Sequence, residues 1–134
     1  MIKKLHHLGI AVSNLEEGIA LYRKLLGSGP VFTKDIPEKQ ARVAIFKLGE
    51  DVEIELLSAT GPECDIQEFI AAHGQGIHHI ALAVDDLVSE MKSIEQKGIT
   101  LRDREPRRGV AGPVAFLEPE STQGVFIELT QPMH

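Results

Sequence analysis

The chain has 134 residues, of which 43% are hydrophobic and 25% are charged, and this composition is typical of one globular domain rather than of a disordered or fibrous protein. The formal net charge of −6 and an aromatic content of 4% argue against nucleic acid as a partner, because binding it needs a basic surface and rings on which bases stack. Cys64 is the single cysteine, and no apolar stretch approaches the roughly 18 residues that cross a bilayer, so we expect a cytoplasmic protein with no membrane partner.

The first half of the chain predicts one strand, one helix and three more strands. The apolar, branched segment 5–12 predicts the first strand, and a helix follows between a capping residue, Asn14, and a terminating glycine, Gly27. Segments 31–35, 41–48 and 52–58 predict the three strands.

The second half repeats this order of elements. A strand is expected over 77–84, a helix from Asp86 to a stop at Gly98, and strands near 101–104, 113–117 and 124–130. Residues 59–76 form a connector that holds a short helix at 65–73.

Direct comparison of the halves shows an internal repeat. LHHLGIAVSNL at 5–15 aligns without gaps on IHHIALAVDDL at 77–87, and VEIEL at 52–56 aligns on VFIEL at 125–129. The sequence therefore predicts a single α+β domain over 1–134, built from two tandem βαβββ modules, with module 1 at about 1–58 and module 2 at about 77–134.

Two histidines and two glutamates occupy equivalent positions in the repeats: His7 with His79, and Glu55 with Glu128. In VEIEL the residues Val52, Ile54 and Leu56 share one strand face, and in VFIEL Val125, Ile127 and Leu129 do, so each glutamate lies on the face opposite these three residues. A lone strand histidine is more often structural, and a lone glutamate is more often exposed to solvent, but the duplication favours one shared site for all four. Since neighbours in a strand point to opposite faces, the histidines of this site are either His7 and His79 or His6 and His78.

Imidazole nitrogen and carboxylate oxygen without a thiolate suit a divalent ion such as cobalt, zinc, manganese, nickel or iron. Four protein ligands leave coordination positions for a substrate, which favours a catalytic metal over a structural one.

The motifs HHLGIAV, VEIEL, GQGIHHIALAVDDL at 74–87 and EPRRGVAGPVAFLEPESTQGVFIELTQ at 105–131 resemble the vicinal oxygen chelate superfamily, whose fold is glyoxalase/bleomycin-resistance/dioxygenase-like, and within it the methylmalonyl-CoA epimerases. The resemblance covers essentially the whole chain. It implies an incomplete barrel around a divalent metal, with ligands at His7, Glu55, His79 and Glu128, and it implies a homodimer.

The activity that the resemblance implies is an isomerase reaction on an acyl-CoA: epimerisation of methylmalonyl-CoA at C2, by proton abstraction to a metal-stabilised enolate and reprotonation. Glu128 is favoured as the proton-transfer group, with Glu55 as its counterpart. Four residues within the second-half motif are candidates for contact with substrate: Arg107 and Gly112, for which a charged turn is the alternative, and Ser121 and Thr122, for which a plain turn is the alternative.

The chain departs from this family in two places. Val43 stands where characterised epimerases carry a glutamate that is proposed as an acid or base, and Glu118 and Glu120 stand where many members carry histidine and lysine. These differences put the second proton-transfer group and the choice of substrate in question.

Three other functions are compatible with parts of the pattern. A glyoxalase I-type isomerase (lactoylglutathione lyase) uses similar ligands, whereas a ring-cleaving dioxygenase needs only two histidines and one carboxylate, so Glu55 or Glu128 would occupy a needed position. The remaining alternative is a non-catalytic small-molecule-binding module without metal.

Overall fold

The computed structural model describes residues 1–133, which divide into two compact units. One unit comprises His7–His78, and the other combines Met1–His6 with the described chain from His79 onward. The strands are β1 (Ile2–Ala11), β2 (Phe32–Ile36), β3 (Ala41–Leu48), β4 (Val52–Ala59), β5 (Gly76–Val84), β6 (Arg107–Arg108), β7 (Pro113–Phe116) and β8 (Ile127–Thr130), and the helices are α1 (Leu15–Leu26), α2 (Asp65–His73) and α3 (Leu87–Gln96).

The strands of the first unit follow the order β2-β3-β4-β1. β1 runs parallel to β4, and β3 is antiparallel to both β2 and β4. The amphipathic helix α1 covers one sheet face, and the core there consists of Val12, Leu15, Ala44, Phe46, Ile54 and Leu56.

Both ends of α1 follow the predicted capping chemistry. The Asn14 side-chain oxygen accepts a hydrogen bond of 2.9 Å from the backbone N–H of Glu17, and Gly27 ends the helix at a φ of 85°. The two ends of α1 therefore lie at the capping residues that the sequence predicted.

The strands of the second unit follow the order β5-β8-β7-β6, with β5 parallel to β8 and the other pairs antiparallel. The Asp86 carboxylate caps α3 by accepting from the N–H of Ser89. α3 covers one sheet face, and the core there consists of Val84, Leu87, Met91, Ile94, Ala115, Leu117 and Leu129. The prediction of an α+β fold with two βαβββ modules is confirmed.

One strand was predicted wrongly. Segment 101–104 makes only a single bridge, between Leu101 and Leu117, and the regular pairing with β7 begins later, at Arg107. The cause is Asp103, because its carboxylate turns inward and accepts from the backbone N–H of Phe116, in place of a strand carbonyl.

The connector helix α2 has the predicted bounds and begins after Cys64, whose side chain is buried. Burial raises the pKa of the Cys64 thiol. Across residues 1–133, no helix combines the length and the apolar character that a membrane span requires.

Candidate functional site

The faces of β4 and β8 separate the helix-packed core from the predicted ligands. Ile54 and Leu56 pack into the core beneath α1, so Glu55 between them points away from that helix. In the second unit Leu129 packs into the core beneath α3, and Glu128 likewise points to the opposite face.

Each glutamate meets one histidine within its own unit. His7 Nε2 lies 3.4 Å from Glu55 Oε1, and His79 Nε2 lies 3.3 Å from Glu128 Oε1. The strand registers explain this, because Glu55 is opposite Gly9 and Glu128 is opposite Ala81, two residues beyond the respective histidines. The repeat therefore produces the same imidazole–carboxylate contact twice.

All four side chains belong to buried residues: the exposed fraction is 8% for His7, 4% for Glu55, 5% for His79 and 7% for Glu128. Burying a carboxylate away from water is unfavourable unless polar groups surround it, and an imidazole nitrogen is such a group. This burial excludes a solvent-exposed strand face as the location of the two glutamates.

The other histidine of each doublet, His6 or His78, is less buried than its neighbour. His78 is only partly buried, and its ring meets the Phe69 ring edge-on at a centroid distance of 5.0 Å. Of the two alternatives left by the sequence, the structure shows the pairing of His7 and His79 with the glutamates.

The residues opposite the two glutamates differ in kind. Ile45 lies opposite Glu55 on β3, and Phe116 lies opposite Glu128 on β7. Val43 shares a strand face with Ile45 and is fully buried, so the surroundings of Glu55 on β3 are apolar.

Two of the residues expected to contact substrate have local hydrogen bonds. The Ser121 hydroxyl donates to the Glu118 carbonyl at 2.9 Å and accepts from the Thr100 N–H at 3.2 Å. The Thr122 hydroxyl donates to the Val125 carbonyl at 2.6 Å. These bonds stabilise the turn that leads into β8.

The other two residues expected to contact substrate, Arg107 and Gly112, line one open cavity of about 420 Å³ together with Arg108 and Gly109. The Arg107 guanidinium also donates to Asp103 at 2.9 Å. Glu118, one of the two glutamates that depart from the family pattern, is paired with Arg102 at 2.6 Å, which offsets its negative charge.

Two residues near the second glutamate were not predicted as parts of its surroundings, namely Asp103 and Phe116. The sequence around Asp103 predicts a strand, and nothing in its neighbours indicates that its side chain turns inward. Phe116 had a usable signal, because antiparallel pairing of 113–117 with VFIEL places it opposite Glu128.

The chain belongs to the Glyoxalase/Bleomycin resistance protein/Dioxygenase superfamily, whose family model matches residues 6–116. Its similar relatives include the ethylmalonyl-CoA/methylmalonyl-CoA epimerase of Cereibacter sphaeroides, which is 35% identical over 98% of this chain and 99% of the relative. The mitochondrial methylmalonyl-CoA epimerase of Dictyostelium discoideum is 35% identical over 97% of this chain and 79% of the relative.

A solved structure gives the same result for the fold. A variant of the Streptomyces coelicolor methylmalonyl-CoA epimerase, in complex with 2-nitronate-propionyl-CoA, superposes with a TM-score of 0.93 at 29% identity, and the comparison covers all of both chains. The resemblance to this superfamily and to its epimerases is therefore confirmed.

Proposed function

We propose that this protein catalyses the epimerisation of methylmalonyl-CoA at C2. The observation that carries the proposal is the duplicated, buried imidazole–carboxylate pair, present at equivalent positions of both units. The named epimerases that match the chain over nearly its full length support this choice of substrate.

We further propose that His7, Glu55, His79 and Glu128 bind one divalent ion, of cobalt, zinc, manganese or nickel. The donor set fits such an ion, because each of the four residues is buried and has an imidazole nitrogen or a carboxylate oxygen, and the set contains no thiolate. When bound, a divalent ion supplies a positive charge that stabilises the negative charge developing on the thioester oxygen.

The protein side chains would then move the proton. C2 of the substrate lies between a carboxylate and a thioester, so its proton is acidic, and inversion requires removal on one face and delivery on the other. In the proposal Glu128 takes the proton and Glu55, its counterpart in the first unit, serves the other face, since Val43 has no group that transfers protons. A metal-bound carboxylate is a weakened base. In the proposal Glu128 would therefore have to bind the ion less tightly once substrate is present.

Substrate would be held by the turn before β8 and by the loop after β6. We assign these contacts to the hydroxyls of Ser121 and Thr122 and to the cavity lined by Arg107 and Gly112. We also propose that the protein is a cytoplasmic homodimer. Light scattering on the purified protein measures its molar mass and so tests whether it is a dimer.

The test is the exchange of the C2 proton of methylmalonyl-CoA for solvent deuterium, with bound metal measured on the same sample. The metal-loaded wild type should exchange, Glu128→Gln should lose exchange, and the exposed-site control Glu95→Gln on α3 should retain it. An active Glu128→Gln variant contradicts the assigned role. A metal-loaded wild type that is inactive here but isomerises the glutathione hemithioacetal of methylglyoxal would make the protein a glyoxalase I-type isomerase instead.

A further inference from the structure

The ring of Phe116 lies against the His79–Glu128 pair. Its centroid is 6.4 Å from that of the His79 imidazole, with an angle of 86° between the ring planes, which is the edge-to-face arrangement that aromatic rings prefer. In the register of β7 and β8, Phe116 is also the residue directly opposite Glu128. One half-buried side chain thus adjoins both members of the pair.

Phe116 is itself held from several directions. The Phe126 ring stacks on it at 4.8 Å with an interplanar angle of 16°, and the Arg107 guanidinium lies 5.6 Å from its ring centroid. Its backbone N–H donates to one oxygen of Asp103 at 2.8 Å, while Arg107 donates to the other oxygen at 2.9 Å. Asp103 is buried, whereas the Arg107 side chain is about half exposed, so the bridge between Arg107 and the Phe116 backbone is shielded from water at its Asp103 end.

The first unit has a different residue at the equivalent position. Ile45 lies opposite Glu55, as Phe116 lies opposite Glu128, and an aliphatic side chain has no ring edge to present to an imidazole. The repeat therefore does not account for Phe116, and the aromatic support is specific to the second unit.

We propose that Phe116 is a positioning residue that fixes the ring orientation of His79, and that Asp103 and Arg107 form a clamp that keeps Phe116 in place. Groups that surround a ligand set its orientation and hence its affinity for metal. The proposal rests on the proposed function in so far as His79 is a metal ligand. Arg107, which we propose to contact substrate, would thereby have a second role, exerted through Phe116.

The expected effect on metal affinity is modest and graded. Phe116→Leu, which removes the ring, should weaken metal binding about 2- to 10-fold and lower kcat more than it raises KM. Phe116→Tyr keeps the ring and should restore both values. Arg107→Lys keeps the charge near Asp103 but loses the planar group over the ring, and its metal affinity should fall between those of wild type and Phe116→Leu.

The decisive measurement uses the metal-free protein, so it stays informative if the proposed function is wrong. NMR relaxation of the labelled His79 ring should report lower order in Phe116→Leu than in wild type, with order restored in Phe116→Tyr. Tyr22→Leu, which removes a ring that contacts Phe46 in the first unit, is the matched control and should leave the His79 signal unchanged.

Unchanged His79 order in a folded Phe116→Leu variant overturns the inference, whatever the protein catalyses. An equal loss of order in Tyr22→Leu overturns it too, since the effect would then be general destabilisation. By contrast, a wild type without metal binding or proton exchange refutes the proposed function and leaves the ring order to decide the positioning role.

Discussion

Substitution of Glu128 by Gln keeps the size of the side chain but removes the negative charge of one proposed ligand. In the metal-free protein we expect a small change in the free energy of unfolding, within about 1 kcal/mol, because the variant still fills the same space. In the presence of metal the variant and the wild type should differ strongly, since an ion that binds only the folded chain stabilises that state.

The difference in metal-dependent stabilisation between wild type and variant can be calculated if the ion binds only the folded chain. We assume this because the four ligands are brought together and buried only on folding. At a free metal concentration of 100 times the wild-type Kd, the stabilisation of wild type is about 2.7 kcal/mol. With an unfolding entropy of roughly 2.1 cal/mol/K for each of 134 residues, this raises Tm by about 10 °C. If the variant binds about 100-fold more weakly, its stabilisation at the same concentration is about 0.4 kcal/mol, or between about 1 and 2 °C.

Thermal unfolding followed by circular dichroism measures both proteins at one protein concentration, with chelator and then with cobalt or zinc. Glu95→Gln, an exposed substitution on the same unit, should show the full wild-type shift. If wild type shows no metal-dependent shift, or if Glu128→Gln shows a shift as large as that of wild type, Glu128 is not a ligand of a stabilising metal ion.

Three further outcomes test the fold around the site. Cys64 is buried and the pKa of its thiol is raised, so in the native protein at pH 8 it should react with a thiol reagent far more slowly than a free cysteine does. In denaturant it should react at the rate of a free cysteine, and a fast reaction in the native protein would contradict its burial. Asn14→Ala should lose about 1 kcal/mol of stability in urea unfolding, whereas Asn14→Asp should lose little, and equal stability of all three proteins would show that the α1 cap does not matter. Gly112→Ala should cost at least about 1 kcal/mol in the same assay, because Gly112 has a φ of 152° and an added Cβ would meet the backbone oxygen of Gln131; a fully stable variant would contradict this tight loop.

Local signals in the sequence were sufficient to predict most of the fold. Asn14 and Gly27 mark the two ends of α1. The motifs that surround α1 are repeated in the second half and predict the same arrangement for α3. Strand alternation also placed Glu55 and Glu128 on the face away from the helices, since a period of two leaves no other choice. These features depend only on neighbours in sequence and so could be read from it.

The rest depends on contacts between residues distant in sequence. The choice of His7 over His6 was open because alternation separates two neighbours without saying which face is the site; the pairing with Glu55 distinguishes them. Segment 101–104 resembles a strand, but the bond from Phe116 to the Asp103 carboxylate, thirteen positions away, prevents regular pairing. The strand propensities of individual residues do not take such a bond into account.

The most direct test of the central proposal is the number of metal ions and imidazoles per chain, measured by elemental analysis and X-ray absorption on the cobalt-loaded protein. We expect one ion per chain, coordinated by two imidazoles in wild type and by one in either His7→Ala or His79→Ala. Two ions per chain, or one ion whose imidazole count is unaffected by His7→Ala, would mean that the two pairs do not share a metal.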